Sequence, residues 1–159
     1  HVAPAPEKID ELIKDTLTSY KEDISLFFLE KIAKFHLEFE HTHPFIDGNG
    51  RIGRVLINYQ LLQNGFPPII IRDKEKSEYY LALREHQNDK QTNRMDKVFL
   101  LALLESLHKR ITYLRGDKII KLSVYAKDRD KELNNLLNAA KRQTIPAFRE
   151  KGVWKIGVK

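Results

Sequence analysis

Cysteine is absent from this chain of 159 residues. Its absence excludes disulfide bonds, thiolate nucleophiles and zinc sites with cysteine ligands, and it suits the reducing cytoplasm, where we expect the protein to be located. Long apolar runs and a secretory leader are also missing, which predicts a soluble protein without a membrane partner. The chain begins at His1 rather than at Met, which indicates that it was processed or cut from a longer one.

Glycine and proline are scarce, with seven and six residues, and the alternation typical of strands is rare. Apolar residues instead recur at helical spacing in six segments, at about 7–20, 23–41, 51–63, 74–87, 95–114 and 119–126. Within the third segment, the residues predicted to pack are Val55, Leu56, Tyr59 and Leu62. The pattern predicts an all-α fold, a helical bundle, through about residue 127.

A loop of unusual composition, residues 42–50 (THPFIDGNG), lies between the second and third predicted helices. Gly48 and Gly50 permit backbone angles that gather amide N–H groups at the start of the next helix, whose positive dipole end favours an anion. Arg51 and Arg54 fall in the first turn of that helix, where cations oppose the dipole. An anion bound between the two arginines explains this placement, and a di- or triphosphate fits the cradle.

Two further side chains of the loop suit chemistry at a phosphate. Asp47 offers hard oxygen ligands where Mg²⁺ would bridge phosphates, and His43 offers an imidazole that can accept a proton from a hydroxyl. A base, a metal carboxylate, backbone amides and paired arginines are the components of phosphoryl-type transfer. A Walker-type loop is absent from the sequence. Taken singly, the glycines and the histidine also fit an ordinary turn and a helix-end residue.

The twelve residues from His43 to Arg54 resemble the signature of the Fic family, His-x-Phe-x-(Asp/Glu)-Gly-Asn-Gly-Arg-x-x-Arg, and fill all eight of its specified positions. The resemblance covers roughly residues 1–115 and implies a helical bundle. It further implies a nucleotidyltransferase, a protein adenylyltransferase that moves AMP from ATP onto a Ser, Thr or Tyr hydroxyl of a target protein. The alternatives are removal of AMP, transfer of another phospho-group, a silent ATP-binding regulator, or a DNA-binding adaptor dominated by residues 133–157.

The resemblance also implies a role for each residue of the signature. His43 would deprotonate the target hydroxyl, which would attack the α-phosphorus of ATP and expel pyrophosphate. Asp47 would hold Mg²⁺ on the phosphates. The remaining roles are the anion hole (Gly48, Asn49 and Gly50), the leaving β- and γ-phosphates (Arg51), the terminal phosphate (Arg54) and the anchoring of the loop in the core (Phe45).

Two features common in the family are not found in the sequence. One is a β-hairpin flap ahead of the signature. The other is an inhibitory helix with the pattern Ser/Thr-x-x-x-Glu-(Gly/Asn). The segment most similar to this pattern runs from Thr18 to Glu22, but Asp23 follows it where the pattern has Gly or Asn. The resemblance therefore implies control by an upstream inhibitory helix or by a separate inhibitory partner.

The C-terminal stretch differs from the rest. A short helix is expected from residue 133, Pro146 suits the first turn of another, and residues 153–158 alternate like a strand. The stretch is similar to the recognition half of excisionase-type winged helices, which implies DNA contact; a C-terminal cap with a solvated surface is the alternative. Its predicted basic face comprises Lys141, Arg142, Arg149, Lys151 and Lys155. The predicted organisation is a Fic-like catalytic helical domain (1–116), a helical connector (117–132) and a winged-helix-like module (133–159).

Two residue pairs outside the loop have both ordinary and functional interpretations. His36 and Glu40 lie one helical turn apart, and an ordinary hydrogen-bonding pair is expected there. Tyr79 and Tyr80 are candidates to flank the adenine ring, although one of the two is expected in the core.

Overall fold

The computed structural model describes residues 4–72 and 76–159, without the side chain of Lys76. The chain divides into two compact units, His1–Leu100 and Leu101–Lys159. Among the described residues, no helix combines the length and the apolar character needed to cross a membrane.

Helices build the first unit, which confirms the predicted fold class. A 3₁₀ turn at Pro6–Lys8 comes first. The helices that follow are α1 (Ile9–Glu22), α2 (Phe28–Thr42), α3 (Asn49–Gln63), α4 (Lys76–Asp89) and α5 (Asn93–Arg115), the last of which continues into the second unit. All five match predicted segments, with the largest difference at the start of α2. There Asp23 accepts hydrogen bonds from the backbone and hydroxyl of Ser25, and this local turn delays the helix.

Helix α2 is the central element of the first unit and contacts α1, α3 and α4. Its core residues recur at helical spacing: Leu29, Ile32, Ala33, Leu37 and Phe39. Each buried Leu or Ile stabilises the fold by roughly 1.5–3 kcal/mol. The C-terminus of this packed helix and the N-terminus of α3 enclose the loop predicted to carry the chemistry.

Helix α3 packs by a different face from the one predicted. Its buried apolar side chains are Ile57 and Leu61. Three of the residues predicted to pack are instead more than half exposed: Val55, Tyr59 and Leu62. Gly53 explains the choice of face, because a Cβ there would lie 2.7 Å from Glu40 Oε1 on α2. The missing side chain lets α3 approach α2 closely on this side.

The second unit contains a three-stranded antiparallel sheet in the order β1-β3-β2. Its elements after α5 are β1 (Lys118–Lys121), α6 (Leu122–Asp128), α7 (Leu133–Lys141), β2 (Ala147–Glu150) and β3 (Val153–Val158). The helix predicted over 119–126 is wrong at its start, because Ile120 pairs with Ile156 in the sheet. The helix predicted after Pro146 is also wrong, because that stretch is β2. The two compact units meet at Leu100 and Leu101, whereas the predicted domain boundary is at residue 116 and the predicted connector at 117–132 contains β1. The predicted domains stay a prediction.

The core of the second unit is formed by Leu122, Ala126, Leu136, Ala140, Ala147 and Ile156. Arg149 was expected on a basic face, but its Nη2 lies 2.7 Å from Oε2 of the buried Glu105, and its guanidinium covers the ring of Trp154. Lys155 likewise pairs with Glu150, with Nζ 2.6 Å from Oε2. The predicted basic face is therefore wrong at Arg149 and Lys155, whose charges are held by acidic neighbours.

Candidate active site at the α2–α3 loop

His43 ends α2 in the left-handed conformation, with φ of 50° and ψ of 55°, and its N–H donates to the carbonyl of Phe39. This conformation is uncommon for residues other than glycine and costs on the order of 1–3 kcal/mol, a cost that is typical of functional positions. The imidazole Nδ1 lies 3.4 Å from the carbonyl oxygen of Glu40. When Nδ1 carries the proton toward that carbonyl, Nε2 keeps a lone pair and can act as a base.

The side chain of Asn49 holds the loop in its conformation by hydrogen bonds to the loop backbone. Its side chain is only 2% exposed, and it bonds both backbone groups of one residue: Oδ1 accepts from the Phe45 N–H at 2.9 Å, and Nδ2 donates to the Phe45 carbonyl at 2.6 Å. The amide side chain therefore shapes the loop, so its contribution to an anion hole is limited to the backbone N–H. Phe45, expected to anchor the loop in the core, is 48% exposed, with its ring 6.4 Å from that of Phe39.

Gly48 caps the N-terminus of α3 in the left-handed region, with φ of +84°. Its carbonyl accepts from the N–H groups of Arg51 and Ile52, each at 2.9 Å. The amides of Asn49 and Gly50 precede these first helical bonds, so they belong to the helix-end donors that intrahelical carbonyls do not reach. The positive end of the helix dipole and these donors are compatible with the predicted anion cradle, and binding of an anion there stays a prediction.

Asp47 and Arg51 form an ion pair at the mouth of the loop, with Oδ2 and Nη2 2.9 Å apart and side chains 88% and 74% exposed. Such an exposed pair stabilises the fold by at most about 1 kcal/mol, so contacts with a bound ligand can readily replace it. A single open carboxylate suits Mg²⁺, which takes most of its ligands from phosphates and water. In the described part of the chain, no group of three or more acidic or histidine side chains could hold a metal unaided.

A second layer of polar side chains lies behind the loop. The Tyr79 hydroxyl is 2.7 Å from His36 Nε2, and both side chains are buried. Glu40 Oε1 and Arg54 Nη1 approach the same point, lying 3.7 and 3.3 Å from where a Cβ on Gly50 would be. The sequence indicated His36 and Glu40 by their helical spacing only, and it did not associate either with Arg54.

The two tyrosines of α4 differ in exposure. Tyr79 is 4% exposed and is the core member of the pair, whereas Tyr80 is 50% exposed and packs edge-on against it at 5.6 Å. The expectation that one tyrosine is a core residue is thus confirmed. Contact with adenine stays a prediction and now concerns Tyr80.

The buried polar layer has strongly shifted proton affinities. Burial, and then the Arg54 charge, lower the pKa of His36 to about 3, so this imidazole is neutral at physiological pH. Burial raises the pKa of Glu40, while the His43 and Arg54 charges oppose that rise. Burial and the neighbouring Glu40 charge raise the pKa of Tyr79 well above its usual value, which keeps its hydroxyl protonated.

The neutral His36 predicts an acid-dependent stability. The unfolded chain protonates this imidazole near pH 6.5, whereas the folded chain does so only near pH 3. Lowering the pH from 6.5 toward 3 therefore favours the unfolded state, by up to about 1.4 kcal/mol per pH unit. We expect the free energy of unfolding to fall more steeply in wild type than in His36→Gln over this range, as measured by urea titration with circular dichroism. Parallel curves would show that His36 is not buried in its neutral form.

Comparisons with known proteins find relatives that share the part of the chain containing this loop. The family model described as "Fic/DOC family" matches residues 1–61, a range that contains the whole loop. A protein adenylyltransferase Fic from Nematostella vectensis is 41% identical over 88 residues, which are 54% of this chain and 20% of that protein. A probable protein adenylyltransferase from Aquifex aeolicus is 39% identical over 82 residues, 52% of this chain and 25% of that protein.

The fold has a counterpart among solved structures as well. A Fic family protein from Desulfovibrio desulfuricans G20 covers 99% of this chain with a TM-score of 0.59, and the chain covers 57% of that protein at 21% identity. The chain spans only a fifth to a quarter of the length of the curated relatives described above. The matched family model covers the whole loop of residues 43–54, so the first 61 residues of this chain are similar to the Fic/DOC family.

Proposed function

We propose that this chain is the catalytic part of a protein adenylyltransferase, which transfers AMP from ATP to a Ser, Thr or Tyr hydroxyl of a target protein. The observation that carries the proposal is the α2–α3 loop, where the His43 imidazole lies at one end and the anion cradle of α3 at the other. The names of the relatives, protein adenylyltransferases, support the same activity. The reaction uses cytoplasmic ATP, and an upstream inhibitory helix or a partner protein controls it.

In the proposed reaction, His43 Nε2 accepts the proton of the target hydroxyl as its oxygen attacks the α-phosphorus. The new bond joins that oxygen to phosphorus, and the bond from phosphorus to the bridging oxygen of pyrophosphate breaks. The Glu40 carbonyl beside Nδ1 orients the imidazole and favours the tautomer in which Nε2 is the base. A positioned base of this kind accelerates a reaction by roughly 10²–10⁴-fold.

The remaining residues of the loop would bind the triphosphate. The backbone amides from Gly48 to Gly50 surround the anion, Arg51 leaves its pair with Asp47 to neutralise the departing phosphates, and Arg54 binds the terminal one. Mg²⁺, when bound through Asp47 and the phosphates, supplies charge neutralisation for the pyrophosphate. The open Asp47–Arg51 pair supports this arrangement, because each side chain is free to turn toward the ligand.

The identity of the transferred group is tested with two labelled forms of ATP. The chain is incubated with Mg·ATP and a cell lysate, and proteins are examined for label and by mass spectrometry. We expect label from the α-phosphate, and an added adenylyl group, but no label from the γ-phosphate. Label from the γ-phosphate would indicate a phosphotransferase, and loss of a preformed adenylyl group would indicate the reverse reaction. Nucleotide binding without either change would indicate a regulator.

A second candidate function, DNA binding by a winged-helix-like second unit, is favoured by the distribution of charge. Residues 101–159 contain 14 Lys and Arg against 6 Asp and Glu, a net charge of +8, although the whole chain has only +6. Helix α7 contains no acidic residue, and its exposed positions include Asn134, Asn138 and Lys141, followed by Arg142. Asparagine and basic side chains on the second of two short helices suit base edges and phosphates. We propose that this surface contacts duplex DNA.

Charge reversal tests the DNA proposal. We expect Lys141→Glu/Arg142→Glu to weaken binding of duplex DNA at least tenfold and to reduce the slope of log K against log salt by about two. Fluorescence anisotropy of a labelled duplex at several salt concentrations measures both quantities. Arg110→Glu/Arg115→Glu is the matched control, because it makes the same change of charge at two exposed positions of α5. Equal losses in both double variants would show attraction by net charge alone.

A further inference from the structure

We propose that Glu40 is a positioning residue that, together with Tyr79, fixes the Arg54 guanidinium beneath the α2–α3 loop in the orientation needed for the terminal phosphate of the nucleotide. The inference rests on the proposed function for the identity of the ligand. It does not follow from the loop signature, because Glu40 precedes the signature in α2 and Tyr79 lies in α4.

The first support is the unusual burial of the Glu40 carboxylate. Its side chain is 10% exposed, and within the described residues its Oε1 is buried without a hydrogen-bond partner. A buried carboxylate is costly unless a cation compensates it. His36 Nε2 lies 4.0 Å away, but that imidazole is neutral and cannot compensate the charge. The permanent cation in this group is Arg54, whose charge acts on Glu40, on Tyr79 and on His36 alike.

The second support is the convergence of Glu40 and Arg54 on the first turn of α3. Their polar atoms lie 3.7 and 3.3 Å from the point that a Cβ on Gly50 would occupy. Gly53, on the same helix, leaves the space that the Glu40 carboxylate fills, since a Cβ there would lie 2.7 Å from Oε1. Two glycines thus admit a carboxylate and a guanidinium directly behind the amides of the anion cradle.

The third support is the rigid frame around the carboxylate. The Tyr79 hydroxyl is held by His36 at 2.7 Å, and it interacts more weakly with Glu40 and Arg54. The backbone of Glu40 is fixed in the last turn of α2, where its carbonyl faces the His43 imidazole. Glu40 therefore links the base and the phosphate-binding arginine: its carbonyl faces one, and its carboxylate attracts the other.

An arginine without such a frame has many rotamers, and ordering it on binding costs free energy. Arg51 illustrates the difference, because its side chain is 74% exposed and its ion pair, among the described residues, is with the exposed Asp47. Under the proposal, the neighbouring Glu40 carboxylate and Tyr79 hydroxyl instead preorganise Arg54 in the free protein. Preorganisation strengthens binding of a ligand that reaches the guanidinium and leaves a shorter ligand unaffected.

The experiment compares Glu40→Gln with the matched control Glu38→Gln on the same helix, where Glu38 pairs with His86 at 2.9 Å. Calorimetry measures the affinity of each full chain for Mg·ATP and for AMP. We expect Glu40→Gln to weaken Mg·ATP about tenfold and AMP less than twofold. We expect Glu38→Gln to change neither, and Glu40→Gln to add little in an Arg54→Gln background. Equal losses for the two nucleotides, or additive losses in the double variant, would overturn the proposal.

A second measurement separates this inference from the proposed function. In the nucleotide-free chain, the NMR signal of the Arg54 Nε–H group reports how firmly the guanidinium is held. We expect slow hydrogen exchange in wild type and in Glu38→Gln, and exchange at least tenfold faster in Glu40→Gln. If wild type bound no Mg·ATP, the proposed function would fail and this signal would still decide the role of Glu40. Unchanged exchange in Glu40→Gln would refute positioning.

Discussion

His43→Ala is expected to reduce incorporation of α-labelled AMP into target protein by about 10²–10⁴-fold. In the proposed mechanism the imidazole accepts the proton of the attacking hydroxyl, and alanine offers no replacement. His43→Gln is expected to fail similarly, because the amide preserves polarity and much of the volume but is not a base. Initial rates of label transfer at saturating Mg·ATP measure the loss.

The loss of activity can be assigned to the chemical step only if the variant still folds and still binds the nucleotide. We expect His43→Ala to keep the circular dichroism spectrum and the Mg·ATP affinity of wild type within about twofold, because the amides of α3 and the two arginines are unchanged. His43 is also only partly buried at the end of α2, so its truncation removes little packing. Full labelling by His43→Ala would remove the imidazole from the mechanism.

Glu105→Ala is expected to destabilise the second unit by about 3–5 kcal/mol, because it removes the buried carboxylate that pairs with the largely buried Arg149 guanidinium. Glu105 is 5% exposed and accepts from the Arg149 backbone N–H at 2.9 Å and from Nη2 at 2.7 Å. Trp154 is the single tryptophan of the chain and lies under that guanidinium, 4.6 Å from it. Urea titration followed by tryptophan fluorescence therefore reports unfolding of this unit directly.

Two further variants serve as controls for Glu105→Ala. Asp128→Ala removes an exposed carboxylate of the same unit and is expected to cost less than about 0.5 kcal/mol. The double variant Glu105→Leu/Arg149→Met removes both charges while keeping volume, and it is expected to recover most of the lost stability. A loss below about 1 kcal/mol in Glu105→Ala, or no recovery in the double variant, would contradict the importance of the buried pair.

The helices were predictable because each has a periodic apolar pattern of its own, but the buried face of α3 was not. That helix carries apolar side chains on two sides, Ile57 and Leu61 on one and Val55 and Tyr59 on the other. Local periodicity cannot choose between the two faces. The choice depends on Gly53, whose missing side chain matters only because of what α2 places opposite it.

The strands were missed for a related reason. The four residues of β1 become a strand by pairing with β3, whose sequence lies more than thirty residues further along the chain. Residues 119–120 are apolar and adjoin a true helix, so the local pattern merged them with α6. Likewise, Pro146 is compatible with a helix start, and only the pairing of Ala147 with Ile156 shows that a strand follows.

The residues of the candidate site likewise form two groups: those that the sequence indicates and those that only the structure brings together. His43, Asp47, Arg51 and Arg54 could be predicted as one site from the sequence because they lie within twelve consecutive residues and their side chains suit one kind of chemistry. The group behind the loop combines side chains of α2, α3 and α4, and no spacing in the sequence associates them. The side-chain bonds of Asn49 to Phe45 were equally hidden, since a motif specifies residue types and not the direction of an amide.

The central claim is that the loop between α2 and α3 binds a magnesium-bound nucleoside triphosphate. Isothermal titration of Mg·ATP into the full chain tests it most directly, in parallel with Asp47→Asn and Arg51→Ala. We expect saturable heat from wild type and at least tenfold weaker binding in each variant, since both side chains leave their exposed pair to hold the ligand. Absent heat in wild type, or heat indifferent to both substitutions, would contradict the assignment of this site.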